Sequence, residues 1–458
     1  LPFPTPEMQF PIVSIELHEQ EAVPVLREAL GYVARYRGEV FVIKLESGLL
    51  DVPSFAGLVR DIASLHRMGI RVVVVPGARR QIDSFLKTWE IDAPMVDGVR
   101  VTTEEALPFV TMAAFDVCSR IMTLIAESGV NALIGNWVKA RGLGVLGGTD
   151  YQRTGSVQSL RTDILRQLMG QEFVPIVPNI GWNSAGQPYN VNSTQLAMEL
   201  AVQLGASKLF FLCDEKPSIG EGIELPAEVD LREDGMLSSL NLVQVEQLLE
   251  RNGDRIGKPY RDYLARGLEA CRKGVRRTHV LDGLEDGSLL REVFSQNGQG
   301  TMVFANDYDN IRPAALSDVQ DILRIQEPYV ASGVLVPRSV EQIEAKIGDY
   351  AVHEVDGFVQ GAAALHLFSD GSAEIAAVAV SEQVRRWGIG RKLVQYQMLR
   401  AHKLGLDRVF LLTTQTSDWF AELGFVRGDL GDLPPEKAAT YNHDRKSMVF
   451  VRTLRKGA

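Results

Sequence analysis

EIAAVAVSEQVRRWGIGRKL, residues 374–393, joins a short apolar strand over 375–380 to a helix that starts near Gly390. Arg385, Arg386, Gly388 and Gly390 lie in the turn. A strand that runs through a glycine-bearing turn into a helix presents backbone N–H groups with no partner inside the helix, which makes a seat for an anion. The glycines let the backbone approach without a Cβ in the way, and the arginines add charge and forked donors. A pyrophosphate fits there. Ala376, Ala377 and Ala379 are poor strand formers, so their small side chains predict something flat lying against the strand. The stretch reads equally as a plain strand-to-helix corner with surface arginines.

The 458 residues predict two or three domains, each with its own core. Composition is ordinary for a globular chain, with 45% hydrophobic and 23% charged residues. The net charge of −10, without a long basic block, argues against general attraction to nucleic acid or anionic membrane. An anionic substrate must then be held by a few local arginines. No apolar run is read as membrane-spanning, and LPFPTPEMQFP lacks the basic start and apolar middle of a signal peptide. Cys118, Cys213 and Cys271 give neither a disulfide framework nor a metal spacing. A cytoplasmic protein is expected.

Helical spacing over 23–37 and 54–68 alternates with apolar, strand-like runs at 40–45, 71–75, 132–134, 174–177 and 208–212. This alternation predicts an α/β layer fold with an open, mostly parallel sheet between helices. Ligands sit at strand ends in such sheets. Here the first two strands end in KLESG and VVPGARRQI, with Glu46, Ser47, Ala78 and Arg79 where a phosphate cradle wants consecutive glycines. Glu46 would repel a phosphate, and Lys44 reads as a structural lysine.

RGEVFVIK, VVVVPGARRQID, VPIVPNIGWNSAGQPYNVNSTQLA, ASKLFFLCDE and THVLDGLEDGSLLREVFSQNGQGTM make residues 25–303 resemble the amino-acid-kinase family. The family's working kinases carry Lys-x-Gly-Gly where this chain has Lys44, Leu45, Glu46 and Ser47. They carry consecutive glycines where it has Gly77, Ala78 and Arg79, and an aspartate where Thr194 follows Asn190 and Asn192. These departures predict no phosphoryl transfer. The last segment resembles the arginine-binding region of arginine-sensitive members, which implies an L-arginine effector site at Lys208, His279, Glu292 and Gly298. In that role Glu292 would fork to the guanidinium and Lys208 would meet the carboxylate. Without the resemblance, His279 is a strand-end histidine and Glu292 a solvated helix residue. REALGYVARYRG resembles the family's interlacing helix and implies a homo-oligomer, a hexamer; by itself it is an amphipathic helix.

ANDYDN marks a composition shift, and the expected domains are 1–304 and 305–458. After it come a strand in IRPA, helices over 317–330 and 339–347, and strands over 350–354 and 358–367 around an Asp356-Gly357 turn. The 374–393 stretch follows, then a strand at 409–412. Arg-x-x-Gly-x-Gly after an apolar strand resembles the acetyl-CoA loop of the GNAT acetyltransferase family. With GVLVPRS, FLLTTQTSDWFAELGF and LPPEKAATYNHDRKSMVF, the resemblance narrows to the bacterial N-acetylglutamate synthase family, with an α+β GNAT domain behind the kinase-like one.

That resemblance implies acetyl transfer from acetyl-CoA to the α-amine of L-glutamate, with no metal, inhibited by L-arginine. Val378, Ala379, Val380, Arg385, Arg386, Gly388 and Gly390 would form the acetyl-CoA site, backbone N–H groups polarising the thioester carbonyl. The α-ammonium needs a base. Glu374 is the candidate, acting directly or through one water, although it also reads as a glutamate at a sheet edge. Thr413 and Tyr441 are alternative acids for the leaving sulfur, or structural. Arg338 and Arg445, with Ser447, fall on the glutamate-binding motifs; Pro337 stands where the family usually has another basic residue. Two rivals remain: a working N-acetylglutamate kinase with an appended acetyltransferase, and an arginine-sensing protein without catalysis.

Overall fold

The computed structural model describes residues 32–454, apart from 221, 227, 228, 230, 233, 234, 295–297, 306–308, 356, 357, 382–387 and 416. The chain forms two compact units that part between Ala305 and Asn306; the expected boundary lies one residue earlier.

The first unit is built on an eight-stranded sheet. Its strands run Ser239–Asn241, Thr301–Phe304, Arg277–Asp282, Lys208–Cys213, Val40–Leu45, Arg71–Pro76, Phe173–Ile176 and Asn131–Ile134 in spatial order. The six strands from Arg277–Asp282 onward are parallel, and the first two run the other way. Val42, Val73, Val75, Leu209 and Phe211 pack against Leu196, Leu200 and Ala201 of the helix Ser193–Leu204. Phe41, Ile43, Val72 and Val74 are as deeply buried on the opposite face, where Tyr36 packs edge-on against Phe41. Burial on both faces explains the unbroken valine run. Each such side chain contributes about 1.5–3 kcal/mol.

Two features were not foreseen. The segments around 138–191 close into a four-stranded barrel of Val138–Gly142, Thr154–Leu160, Pro188–Val191 and Ile180–Trp182. Its strands are short and half-polar, so they give little periodic signal. The helix Leu107–Glu127 has the length (21 residues) and hydropathy (1.6) of a membrane span, which corrects the expectation that no segment reaches that size. Eight of its residues are buried in this unit, and it packs on the helices Phe55–Arg67 and Arg79–Thr88.

The second unit is a seven-stranded sheet in the order Asp309–Pro313, Tyr350–Val355, Phe358–Leu367, Ser372–Val380, Arg408–Thr413, Met448–Thr453 and Val426–Arg427. Every neighbouring pair is antiparallel except Ser372–Val380 with Arg408–Thr413. The helix Val319–Ala331 covers one face, packing on Tyr350, Val352, Ala362, Ala364, Ala377 and Ala379. The helix Ile389–Lys403 covers the other, packing on Leu365, Ala373, Ile375, Val409 and Leu411. The Asp356-Gly357 turn and most of the N-terminal helical segment lie outside the described residues; Tyr32 to Tyr36 are helical.

Candidate functional site

The single parallel pair in the second unit is where the sheet opens. Ser372, Ala373 and Glu374 pair with Arg408, Val409 and Phe410, and there the pairing ends although both strands continue, to Val380 and Thr413. A fork follows between them. On its other edge the central strand pairs Ala376 with Ala364 and Ala379 with Ala362, so Ala377 and Val378 stand opposite Ala363 alone. Ala377 has φ +56°, a left-handed conformation uncommon outside glycine and costly for alanine. This is a β-bulge, and it re-aims the backbone beside the fork.

Backbone direction alternates along a strand, and Ser381 N–H donates to Gln360 of the neighbouring strand at 2.8 Å. Val378 and Val380 therefore turn their polar groups toward the fork, while Ala379 turns toward the ladder. The Tyr329 hydroxyl takes both groups of Val380, donating to its carbonyl at 2.7 Å and accepting from its N–H at 3.3 Å. Of the three expected donors, Val378 is the one whose backbone direction suits a carbonyl in the fork.

The helix Ile389–Lys403 starts beside the end of the central strand. Its N-cap, Gly388, has φ +69°, and no side chain caps it among the described residues. A Cβ on Gly390 would stand 3.4 Å from Trp419 and 3.7 Å from Val380, and one on Gly361 would fall 2.8 Å from Leu393 and 2.9 Å from Ile389. The small residues hold the helix tip close to the strand. Its first turn carries Arg391 and Lys392 and no acid, the reverse of what the helix dipole favours unless an anion is bound there. Arg385 and Arg386 lie outside the described residues.

Glu374 sits at the fork's apex, 6% exposed. Its Oε2 accepts from Lys437 Nζ at 2.7 Å, a pair across 63 positions that sequence reasoning missed. Its ladder partner Phe410 packs with Tyr441 and Leu433 on the same face. The Tyr441 hydroxyl donates to the Ser447 carbonyl at 2.7 Å. Thr413 pairs with Met448 and continues the Val409–Leu411 face, the side of the helix Ile389–Lys403. The two candidate acids thus lie on opposite faces of the sheet. Arg445 joins the two motifs expected to bind the acceptor: its guanidinium donates to the carbonyls of Gly333 (2.9 Å) and Val334, in the loop that carries Arg338. Arg338 donates to Val336 at 3.2 Å and lies near Tyr350.

The first unit brings its four expected effector residues to one buried cluster. Lys208 and His279 come from neighbouring strands. His279 Nδ1 lies 2.5 Å from Glu292 Oε1, and its ring stacks on Phe210 at 4.8 Å. Burial first, then the charge of Lys208, push His279 down to about 4. Burial would raise Glu292, but His279 and the N–H groups of Gly300 and Gln299 hold it down at about 2. Gly300 N–H reaches Glu292 at 3.0 Å, and Gly298 reaches its left-handed φ of +47° beside that carboxylate. Lys208 is lowered, by burial and then by Arg277, and its ammonium lies over the Tyr36 ring at 4.8 Å. His279 Nε2 is buried with no partner among the described residues. Glu292 is thus no solvated helix residue.

A separate cleft of about 940 Å³ lies where the strands Val40–Leu45 and Arg71–Pro76 end. There Glu46 pairs with Lys44 and accepts from the Tyr263 hydroxyl at 2.5 Å. Burial would raise its carboxyl, but Lys44 and Tyr263 keep it low. Asn190 is bonded to Asn179 and Thr102, and Asn192 caps the helix Ser193–Leu204. The kinase-type polar positions have structural partners, and a carboxylate stands in the phosphate seat.

A sheet forked beside a helix tip that bears basic residues and no acid, in one chain with a unit of this parallel α/β type, marks a two-domain acyltransferase that uses acetyl-CoA. Residues 39–282 match the amino acid kinase family and residues 317–425 the acetyltransferase (GNAT) family. The chain is 32% identical to the amino-acid acetyltransferase of Pasteurella multocida over 96% of its own length and 99% of that protein. It is 33% identical to that of Ralstonia nicotianae over 95% and 96%. The N-acetylglutamate synthase of Neisseria gonorrhoeae complexed with coenzyme A and L-arginine is 30% identical, with a TM-score of 0.79 over 95% of this chain and 99% of that one. The same enzyme with coenzyme A and N-acetyl-glutamate is 31% identical, with a TM-score of 0.58 over the same shares. The chain belongs to the amino-acid acetyltransferase family.

Proposed function

We propose that this chain acetylates the α-amine of L-glutamate, releasing CoA and N-acetyl-L-glutamate at the head of arginine biosynthesis, under inhibition by L-arginine. The observation that carries the reading is the fork that opens after Glu374, with a buried carboxylate at its apex and a bulged backbone along one arm. Glu374 takes a proton from the ammonium, the freed amine attacks the thioester carbonyl, and the Val378 N–H meets the developing oxyanion. The new C–N bond forms, the C–S bond breaks as the oxyanion collapses, and the sulfur leaves as a thiolate that takes up the second proton the nitrogen sheds. Arg338, Arg445 and Ser447 hold the acceptor's two carboxylates. Arg385, Arg386, Gly388, Gly390 and the helix tip hold the pyrophosphate.

The buried cluster of Lys208, His279, Glu292 and Gly298 is the proposed arginine site, supported by the arginine-bound relative and by His279 Nε2, which has no partner among the described residues. A hexameric assembly belongs to the same reading and rests on the resemblance alone; a cytoplasmic location belongs to it too and rests on the cysteine pattern and the sequence's apolar runs. Thiol release from acetyl-CoA, measured over a panel of amino-acid acceptors with and without arginine, tests it. Release confined to glutamate and suppressed by arginine supports the reading. Release equal across acceptors removes the glutamate clamp, and none at all leaves a binding protein.

A further inference from the structure

Lys437 has no part in the reaction just described, yet it contacts the group that begins it. Its side chain is 24% exposed and that of Glu374 only 8%, with 2.7 Å between Nζ and Oε2. A carboxylate taken out of water without a counter-charge tends to hold a proton, and in that state it cannot accept one from an ammonium. Among the described residues, the other groups around Glu374 do not supply the counter-charge. His366 stands opposite it in the ladder, but its Nδ1 is held by Asp349 at 2.7 Å. Phe410, on the other side, carries no charge. Tyr441, on the same face, gives its hydroxyl to the Ser447 carbonyl.

The segment that bears Lys437 is pinned at several points. Pro434 and Pro435 fix the backbone entering the short helix Pro435–Ala438. Leu433 is buried against Phe410 and Val449. The neighbouring Glu436 accepts from the Ser369 hydroxyl at 2.5 Å. An ordinary surface lysine does not need such an anchorage. We propose that Lys437 is a positioning residue for the base: its ammonium occupies Oε2, supplies the counter-charge to the buried carboxylate at the fork's apex, and leaves Oε1 for the incoming ammonium. The proposal rests on Glu374 being the base.

The experiment is a pH series of thiol release with glutamate varied, on the full chain, for Lys437→Met, Lys437→Arg, Glu374→Gln and the double variant Glu374→Gln/Lys437→Met. Lys437→Met is expected to move the acid limb of the rate profile up by about one pH unit, so that kcat falls by as much as about tenfold on the acid side of the limb and little on the plateau. Lys437→Arg should stay within about threefold of the parent, because the charge remains. The double variant should be no slower than Glu374→Gln alone. The same shift in a His366→Gln background assigns it to the lysine rather than the imidazole. An acid limb that does not move in Lys437→Met, or a double variant slower than Glu374→Gln, overturns the proposal. A rise in the glutamate KM with an unchanged limb also overturns it, and makes Lys437 a substrate clamp. If Glu374→Gln turns over normally, the base assignment fails first and takes this inference with it.

Discussion

Both units use one local pattern, an apolar parallel strand that passes a glycine into a helix whose first turn is basic. In the first unit the helix is Arg79–Thr88, entered past Gly77, with Arg79 and Arg80 at its start and no acid there. In the second it is Ile389–Lys403, entered through Gly388, with Arg391 and Lys392. The difference lies in what already fills the seat. In the first unit Ser47 takes the Arg80 N–H at 3.2 Å, Asp214 takes the Gly48 N–H at 3.0 Å, and Glu46 stands against Lys44. In the second, two strands diverge and leave backbone for a guest. A phosphate-binding pattern reports function only when the protein's own carboxylates have not answered it.

The contrast can be broken by experiment. Glu374→Gln should lower turnover on the order of 10²-fold with little change in the KM for acetyl-CoA. Unchanged turnover in the thiol-release assay would leave the fork without its base. Glu46→Gln takes the counter-charge from Lys44, whose side chain is 1% exposed, and should cost about 3 kcal/mol in chemical denaturation. In the parent chain, ATP-dependent phosphorylation of N-acetylglutamate should stay at background, and detecting it would erase the difference between the two seats. Arg445→Ala should raise the glutamate KM about tenfold and leave that for acetyl-CoA near its parent value. Equal effects on both would make Arg445 only a brace for the Gly333–Val334 carbonyls it holds.

The remaining effects are those of pH on the first unit. His279 is held down at about 4 when folded, against 6.5 when free. Between these values the unfolded chain binds a proton that the folded one refuses, so stability falls as pH drops through that window, by about 3 kcal/mol in all. Glu292, down at about 2, continues the same trend below 4.5. Asp61 acts in the opposite sense. Burial, and then Asp286, raise it to about 6 from 3.8, so its folded form gains a proton early and loses stability as pH rises through that interval. Asp61→Asn should therefore stabilise by about 1 kcal/mol above pH 6, after discounting for solvent, and do nothing near pH 4. Thermal melts of arginine-free parent and Asp61→Asn protein at stepped pH separate the two; a profile that Asp61→Asn leaves unchanged would count against Asp61, and a flat one in that variant against His279.

The strand-turn-helix at 374–393 was legible because its cues are local: an apolar run, glycines, then helical spacing. The parallel core was legible for the same reason, through its valine run. The features that finish the site are set across the sheet. The Ala377 bulge exists only against Ala363, and no alanine announces its partner's register. Tyr329 reaches Val380 from 51 positions away, and Lys437 reaches Glu374 from 63. Thr413 and Tyr441 read as interchangeable until the strand's alternation set them on different faces. The barrel strands are too short and mixed to have a period.

The placement of groups on the two sides of the forked sheet has a kinetic consequence. On the proposed assignment the acceptor's arginines join the loop after the helix Val319–Ala331, whereas the helix tip proposed for the pyrophosphate lies on the reverse side. With each substrate held from its own side of the sheet, neither must depart before the other comes in. The chain's cysteines all precede residue 306, so the acetyltransferase unit offers no thiol to carry the acetyl group alone. Initial-rate plots should converge to an intersection rather than run parallel, the signature of a ternary complex.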